Sequence, residues 1–383
     1  MLRQGTISVD VYGAMKWLGF LVFCIALTLM AQQAPAQEKE PVLTLEESIQ
    51  LALERNLEVQ IAQEEIRFAR QGKKRATTGF LPKLSADYQY RRPSETTTRF
   101  GGVDFENQDR DQYRFTGTVE QPIFTGLETL SNYQLSKLGL DVAQIQLQRT
   151  RLELILSVKE AYFEILRAEK IKQVAEQSVR QLQEGVRVAQ NFVQVGMRPK
   201  VDVLDAETRL GEAELQLIVA NNDIGVAKAR FNTVLRQPID TAVAVVDVLT
   251  TESYKKSYES SQQLALQHRP ELLEADKNVA IAEKVVTLAK SDYYPDISLS
   301  ANYYQQYDDP TVDGSDFVDR ENWDIVAGAT WTFFEWGKTR YATNQQKARL
   351  RQAKESLEQI KDSVLLEVKT AFLAVQAAEQ GIR

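Results

Sequence analysis

An internal duplication is the feature that most constrains this fold, because two copies of one sequence pattern are expected to adopt two similar structures. Four short segments recur in the same order, and the spacing between the first two matches is unchanged. The matched ranges are 51–58 with 264–271, 82–85 with 295–298, 122–126 with 333–337, and 158–162 with 368–372. The repeat period is about 210 residues. We therefore predict a first structural repeat over 37–250 and a second over 251–383.

Each repeat opens with helix-forming sequence and then changes to a strand pattern. One helix is predicted from Leu45 to about Thr78. Another is predicted from Ser260 to about Ser291, interrupted at Pro270, which has no backbone N–H to donate. The strand pattern is clearest from Trp323 to Phe333, where apolar residues take every second position. The sequence predicts two β-hairpins, over 83–124 and 296–334.

The connections inside both predicted hairpins, Arg92–Asp111 and Asp308–Glu321, are long and polar. The outer loops of membrane β-barrels have this character. Aromatic residues are frequent beside these loops, and they fit either a girdle at a membrane interface or an ordinary soluble sheet. They are Tyr88, Tyr90, Tyr113, Tyr303, Tyr304 and Trp323. The strands alone leave both alternatives open.

A long coiled-coil hairpin is predicted after the first pair of strands. From Leu127 to about Val195 only glycines interrupt good helix formers, and nearly 70 residues at about 1.5 Å each give a rod of roughly 100 Å. Apolar residues recur at spacings of three and four here and again from Val203 to Phe231, with Gly196 and Pro199 at the turn between them. The pattern predicts an antiparallel hairpin over 127–235 and the start of a second such helix over 338–383.

The first 36 residues are predicted to be a signal peptide. A basic residue opens the apolar stretch Lys16–Met30, and the small-residue triplet 34–36 follows it. A retained membrane anchor is the alternative, but the apolar stretch is shorter than the roughly 20 residues that a spanning helix needs. The sole cysteine, Cys24, follows Val22-Phe23 instead of the small residues expected before a lipidated cysteine. Lipidation is therefore not favoured, and cleavage would leave a protein without a thiol.

The number of predicted strands limits how such a chain can cross a membrane. An open sheet edge in lipid leaves backbone groups without partners, and the smallest bacterial barrels have about eight strands. This chain offers four. Three copies would supply about twelve, enough for an open lumen. The predicted fold class is an α+β membrane protein, in which long antiparallel coiled-coil hairpins join four strands that contribute to a trimeric 12-stranded barrel.

Several local patterns lie at the helix opening, the strand entry, the strand exit and the helix turn. They are Leu45-x-x-Ser48-x-x-x-Ala52-Leu53-x-x-Asn56, Leu81-Pro82, Pro122-Ile123-Phe124-x-Gly126, Val195-Gly196-Met197 and Asp202-Val203-Leu204. In these patterns, in its order of elements and in its duplication, the chain resembles the TolC-type outer-membrane efflux proteins from about Leu43 to Arg383.

The resemblance implies a homotrimeric channel-tunnel in the outer membrane that extends into the periplasm and serves a tripartite efflux or type I secretion system. Its partners would be outer-membrane lipid, a periplasmic adaptor protein and an inner-membrane transporter. Val195, Gly196 and Met197 match the adaptor-binding turn, with Met in place of the family's Leu. Asp202 matches an aspartate near the periplasmic aperture and would join a gating network. A helix-start acid favoured by the helix dipole is an equally good interpretation of Asp202.

Further expectations concern what the chain lacks. The second repeat reaches Arg383 soon after residues 371–372, so we expect it to lack its own helix turn and returning helix. The 53 acidic residues outnumber the 46 basic ones without a basic face, which disfavours nucleic acid as a partner. With one histidine, His268, we expect no enzyme activity, cofactor or metal site. A periplasmic coiled-coil scaffold without channel activity is the alternative function, and a secreted enzyme is the weakest. The sequence predicts neither the cargo nor the transporter class.

Overall fold

The computed structural model describes residues 42–92, 97–106, 111–250, 253–307, 309–312 and 321–382. The predicted signal peptide with Cys24 and parts of both predicted outer loops lie outside these residues. The described chain forms two compact units. The first comprises the residues up to Ala52 together with Ser157–Val248, and the second comprises Leu53–Leu156 and the residues from Leu249 onward. These boundaries differ from those of the sequence repeats, because one long helix continues from the second unit into the first.

Seven α-helices and eight strands are found in the described residues. The helices are α1 Leu45–Arg55, α2 Leu57–Thr78, α3 Glu128–Gln194, α4 Val201–Val234, α5 Tyr258–His268, α6 Pro270–Leu288 and α7 Lys338–Ile382. The strands are β1 Val42–Leu43, β2 Lys83–Arg91, β3 Thr97–Phe100, β4 Val103–Glu106, β5 Gln112–Thr125, β6 Ala244–Val245, β7 Asp296–Tyr307 and β8 Glu321–Thr330. None of the helices in these ranges is apolar over a length that would cross a membrane.

The main sheet lies in the second unit and has four antiparallel strands in the order β2-β5-β7-β8. Its strands are continuous apart from an irregularity between Pro122 and Phe124 in the pairing of β5 with β7. The predicted hairpin 296–334 is corrected at its end. The strand β8 ends at Thr330, and residues 331–334 have no strand partner within the described chain. Apolar alternation continues past the last ladder pair, so the sequence pattern alone overestimates the length of this strand.

The connection 92–111, expected to be a loop, contains a further hairpin of β3 and β4. Gly101 and Gly102 join these strands with φ angles of 65° and 86°. A two-residue turn with positive φ at both positions matches the twist of the strands, and glycine adopts it without steric strain. The expected four strands are therefore those of the main sheet, and the described chain has four more in the two small sheets.

The first predicted helix is also corrected, because it is broken at Asn56 instead of running continuously to Thr78. The Asn56 side-chain oxygen accepts hydrogen bonds from the backbone N–H of Glu58 at 2.8 Å and of Val59 at 3.2 Å. This is an N-cap, which gives α2 a start of its own. In the second repeat the helix that corresponds to α2 is α6, which begins at Pro270. Proline is favoured in the first turn of a helix.

The core of the first unit is formed by α4 and the part of α3 that follows Leu156. On α4 the buried residues Ala213, Ala220 and Ala227 recur every seven positions. On α3 the buried positions with the same spacing include Val158, Ile165, Val179 and Val186. Alanine in the seam lets helix axes approach closely. At one end of this seam the rings of Tyr162 and Phe231, both fully buried, lie 6.0 Å apart.

Candidate functional site

Strand register divides the side chains of the main sheet between two faces of different chemistry, because directly paired residues point to the same side. One face is mostly apolar. It carries Leu84, Ala86, Tyr88, Tyr90, Tyr113, Phe115, Gly117, Val119, Gln121, Leu299, Ala301, Tyr303, Gln305, Tyr307, Trp323, Ile325, Ala327 and Ala329. The other face is mostly polar. It carries Lys83, Ser85, Asp87, Gln89, Arg91, Gln112, Arg114, Thr116, Thr118, Glu120, Asp296, Ser298, Ser300, Asn302, Tyr304, Gln306, Asn322, Asp324, Val326 and Gly328.

The apolar face is largely exposed in the single chain. Leu84 is 74%, Trp323 71% and Ile325 64% exposed. A contiguous apolar surface of this kind marks contact with a membrane or another protein. The main strands are 9 to 14 residues long, and a strand needs about 9–11 residues to cross a bilayer at a tilt. The dimensions and the alternation both fit one segment of a membrane β-barrel wall.

The polar face carries a hydrogen-bond network that joins three strands. The Thr118 hydroxyl donates to the Asn302 Oδ1 at 3.0 Å, and the Asn302 Nδ2 donates to the Asp324 Oδ1 at 2.8 Å. The Tyr304 hydroxyl donates to the other oxygen of Asp324 at 3.3 Å. Sequence reasoning missed this network, because its members are far apart along the chain and only the strand register brings them together.

Aromatic residues cluster at the end of the apolar face next to the outer loops. The rings of Tyr90 and Tyr113 have centroids 4.9 Å apart, and the hydroxyl of Tyr90 donates to Asp111 at 2.8 Å. Of the residues predicted for a girdle, Tyr304 is misassigned. It follows Tyr303 directly, so it must point to the opposite face, where it bonds to Asp324. The other five predicted girdle residues share the apolar face.

A second group of aromatic residues lies where the strands meet the helices, and sequence reasoning missed it. Trp331 donates from Nε1 to the carbonyl of Tyr293 at 3.2 Å. Phe333 and Trp336, which are 82% and 86% exposed, lie in the same connection to α7. With the group near the outer loops, they place aromatic residues at both ends of the sheet. Membrane barrels carry aromatic girdles at both interfaces.

The connection to α7 is fixed by its own hydrogen bonds. The backbone N–H of Thr339 donates to the Glu335 carboxylate at 3.0 Å, and the Thr339 hydroxyl donates to the same oxygen. These bonds favour the charged form and hold the pKa of Glu335 below its usual value. Gly337 and its repeat counterpart Gly126 both have positive φ angles, 82° and 57°, so the chain makes a glycine turn after the strands of both repeats.

The predicted adaptor-binding residues form the turn between α3 and α4. Gly196 has a φ of 73°, its N–H donates to the carbonyl of Val193 at 3.1 Å, and the Met197 N–H donates to that of Phe192 at 2.9 Å. This pair of bonds is a Schellman motif, which ends a helix on a left-handed residue and favours glycine there. The side chains of Val195 and Met197 are 68% and 73% exposed. The turn therefore presents two apolar side chains to its surroundings.

Asp202 lies in the first turn of α4. Its carboxylate is 3.5 Å from the guanidinium of Arg198, whose carbon lies 5.7 Å from the ring centroid of Phe192. A carboxylate at a helix N-terminus is favoured by the helix dipole, so the position fits the simpler interpretation of this residue. The contacts link Asp202 to the turn that contains Val195, Gly196 and Met197.

Groups of acidic, histidine or cysteine residues suited to a metal ion are absent from the residues that the structure describes.

Comparison with known proteins decides the family. A sequence model of the family described as outer membrane efflux protein matches residues 48–235 and 262–383. The chain belongs to the outer membrane efflux protein family. Its cellular location is accordingly the outer membrane, and the predicted resemblance to TolC-type proteins is confirmed.

Two relatives are similar to this chain in sequence, and a solved structure is similar in fold. The outer membrane efflux protein BepC of Brucella suis is 23% identical over 377 residues, which cover 97% of this chain and 77% of BepC. The alkaline protease secretion protein AprF of Pseudomonas aeruginosa is 27% identical over 295 residues, covering 75% of this chain and 59% of AprF. The outer membrane protein VceC of Vibrio cholerae superposes with a TM-score of 0.77 at 18% identity, over 88% of this chain and 80% of VceC. Family and fold are thus those of channel proteins.

Proposed function

We propose that the chain is one third of a homotrimeric channel-tunnel, in which three four-stranded sheets close a 12-stranded barrel and solutes pass through chemically unchanged. The observation that carries this proposal is the sheet itself. It has one exposed apolar face, one polar face and two outer strands, β2 and β8, whose outer edges have no partner within the described chain. In lipid such edges require strand partners, and further copies of the chain provide them.

The strand number supports closure of the ring by identical copies. In an antiparallel sheet with an even number of strands, the two edge strands run in opposite directions. The β8 edge of one copy can therefore pair with the β2 edge of the next without breaking the antiparallel order. Such a head-to-tail contact closes into a ring when the rotation allows it. Three copies give about twelve strands, more than the roughly eight whose interior is filled by side chains, so a lumen lined by the polar face remains open.

The coiled-coil hairpin supports the second part of the proposal, a tunnel through the periplasm. Val195, Gly196 and Met197 would contact a periplasmic adaptor protein, and an inner-membrane transporter would complete a tripartite efflux or type I secretion system. The exposed apolar side chains of the turn support adaptor docking, and the names of BepC and AprF associate these relatives with efflux and protease secretion. Asp202 would join a gating network near the aperture, a role that its link to Arg198 supports.

Barrel closure is tested by disulfide cross-linking between edge strands. We would replace Cys24 by Ser, place one cysteine by Ser85→Cys on β2, and scan a second along the polar face of β8 at Asn322, Asp324 and Val326. These positions share a face, so one pairing register should bring two thiols within reach. We expect covalent dimers and trimers and nothing larger. An absence of cross-links at every scanned position would contradict the shared barrel, and a ladder beyond the trimer would contradict closure at three copies.

Adaptor docking is tested at Met197, whose side chain lies free in the turn. Met197→Asp places a charge in the proposed apolar contact and should reduce adaptor capture from membranes at least tenfold. Met197→Leu is the matched control, because it conserves volume and polarity and should bind normally. Equal capture by both variants would remove the turn from the docking surface. A scaffold without channel activity would retain adaptor contacts and fail the cross-linking experiment, which separates the two functions.

A further inference from the structure

Charged residues on the polar face of the sheet are arranged in layers along the strands. Arg91 pairs with Gln112 in the row nearest the outer loops, and Arg114 pairs with Gln306 in the second row. Asp87 occupies the next row on the same face, and Asp324 the row after it. Successive rows on one face are two residues apart, which is about 7 Å. A cationic layer therefore lies beside a broader anionic layer.

Hydrogen bonds to neutral groups hold Asp324 and Arg114 in place. The carboxylate of Asp324 accepts bonds from the amide of Asn302 and the hydroxyl of Tyr304. Arg114 donates from Nε and Nη2 to the amide oxygen of Gln306, at 3.1 and 2.8 Å. Amide and hydroxyl partners fix the position of a charge without cancelling it. Both charges thus remain available to ions that pass the polar face.

The remaining charges of this face add little to the balance in the middle of the strands. Lys83 and Glu120 occupy directly paired positions with opposite charges. Arg91 lies one row beyond Arg114, and Asp296 lies at the opposite end of the sheet, so over the whole face these two opposite charges also offset each other. The described part of the face therefore keeps an excess of one negative charge, from Asp87 and Asp324 against Arg114, and three copies would triple that excess.

We propose that Asp87 and Asp324 make the lumen selective for cations and that Arg114 opposes them. The proposal rests on the proposed function, in which the polar face lines the channel. A unit charge about 10 Å away in water changes the local concentration of a monovalent ion about twofold. Dissolved salt screens this effect, which reaches about 3 Å in 1 M salt and about 30 Å in 0.01 M salt. The selectivity should therefore be clear in dilute salt and fade in concentrated salt.

The experiment measures reversal potentials of the full-length protein in planar bilayers, with a KCl gradient at low ionic strength. Asp324→Asn should lower the potassium-to-chloride permeability ratio at least about twofold. Asp87 lies outside the Asn302 network, and Asp87→Asn should also lower the permeability ratio. Arg114→Gln should raise the ratio. Asp324→Glu keeps the charge and should leave the ratio close to that of the unaltered protein.

The opposite directions of these shifts make the outcome decisive. Shifts of opposite sign for the aspartate and arginine variants, lost in 1 M salt, would support the assignment. Channels that conduct with unaltered ratios, or with shifts of the same sign, would overturn it and leave the conduit standing. If the unaltered protein forms no channels, the proposed function fails and the selectivity assignment fails with it.

Discussion

The two faces of the main sheet contain residues of similar exposure but opposite chemistry. Ile325 and Val326 are neighbours on β8, are 64% and 46% exposed, and point to opposite sides. On the side of Ile325 the neighbours are apolar or aromatic, and on the side of Val326 they are serine, asparagine and aspartate. Exposure in one chain therefore does not show which surface meets water. The register does, because it makes one face mostly apolar and the other mostly polar.

The largest difference between the faces is expected for a charge placed at their centre. Ile325→Arg should destabilise the assembled protein in lipid by about 2–4 kcal/mol, the cost of a basic residue facing the middle of the bilayer. Val326→Arg is the matched control and should cost much less, because its side chain would reach the aqueous lumen. Urea unfolding of protein reconstituted in vesicles measures both. Equal losses for the two variants would break the distinction between the faces.

A smaller difference is expected at the aromatic end of the sheet. Trp323→Ala should cost about 1–2 kcal/mol in lipid, because the indole that it removes is proposed to lie at the membrane interface. Asn322→Ala, one position away on the polar face, should change stability by less. If Trp323→Ala is neutral or stabilising in vesicles, this part of the apolar face is in contact with water.

The smallest effect is expected within the polar network. Asn302→Ala and Asp324→Ala should each cost about 0.5–1.5 kcal/mol, the usual net value of a hydrogen bond that water can replace. The double variant should cost less than the sum of the two, since both changes remove the same bond. Strict additivity in this double-mutant cycle would show that the bond between Asn302 and Asp324 contributes nothing in the assembled protein.

The sequence predicted those elements whose signal is local and repeated. The helix expected from Leu127 to about Val195 is found at Glu128–Gln194, because nearly 70 residues of helix formers leave few alternatives. The alternating pattern of the strands likewise separated apolar from polar positions. Features that depend on single residues were harder to predict. Asn56 caps a new helix because its side-chain oxygen accepts bonds from the N–H groups of Glu58 and Val59. An asparagine in the middle of a continuous helix would give a similar sequence pattern.

The errors and omissions at the candidate site have the same origin. Composition alone groups Tyr304 with the girdle, although its position next to Tyr303 places it on the other face. The bond between Asn302 and Asp324 depends on the register of β7 with β8, which a single strand pattern does not specify. The adaptor-binding role of Val195, Gly196 and Met197 and the gating role of Asp202 stay predictions that require partner proteins to test.

The most direct test of the conduit is single-channel recording of the full-length protein purified from outer membranes, with its oligomeric mass determined by native mass spectrometry. A homotrimeric conduit should give discrete conductance steps from a particle of three chains. A protein that has the mass of a single chain and produces no steps in a planar bilayer would contradict it.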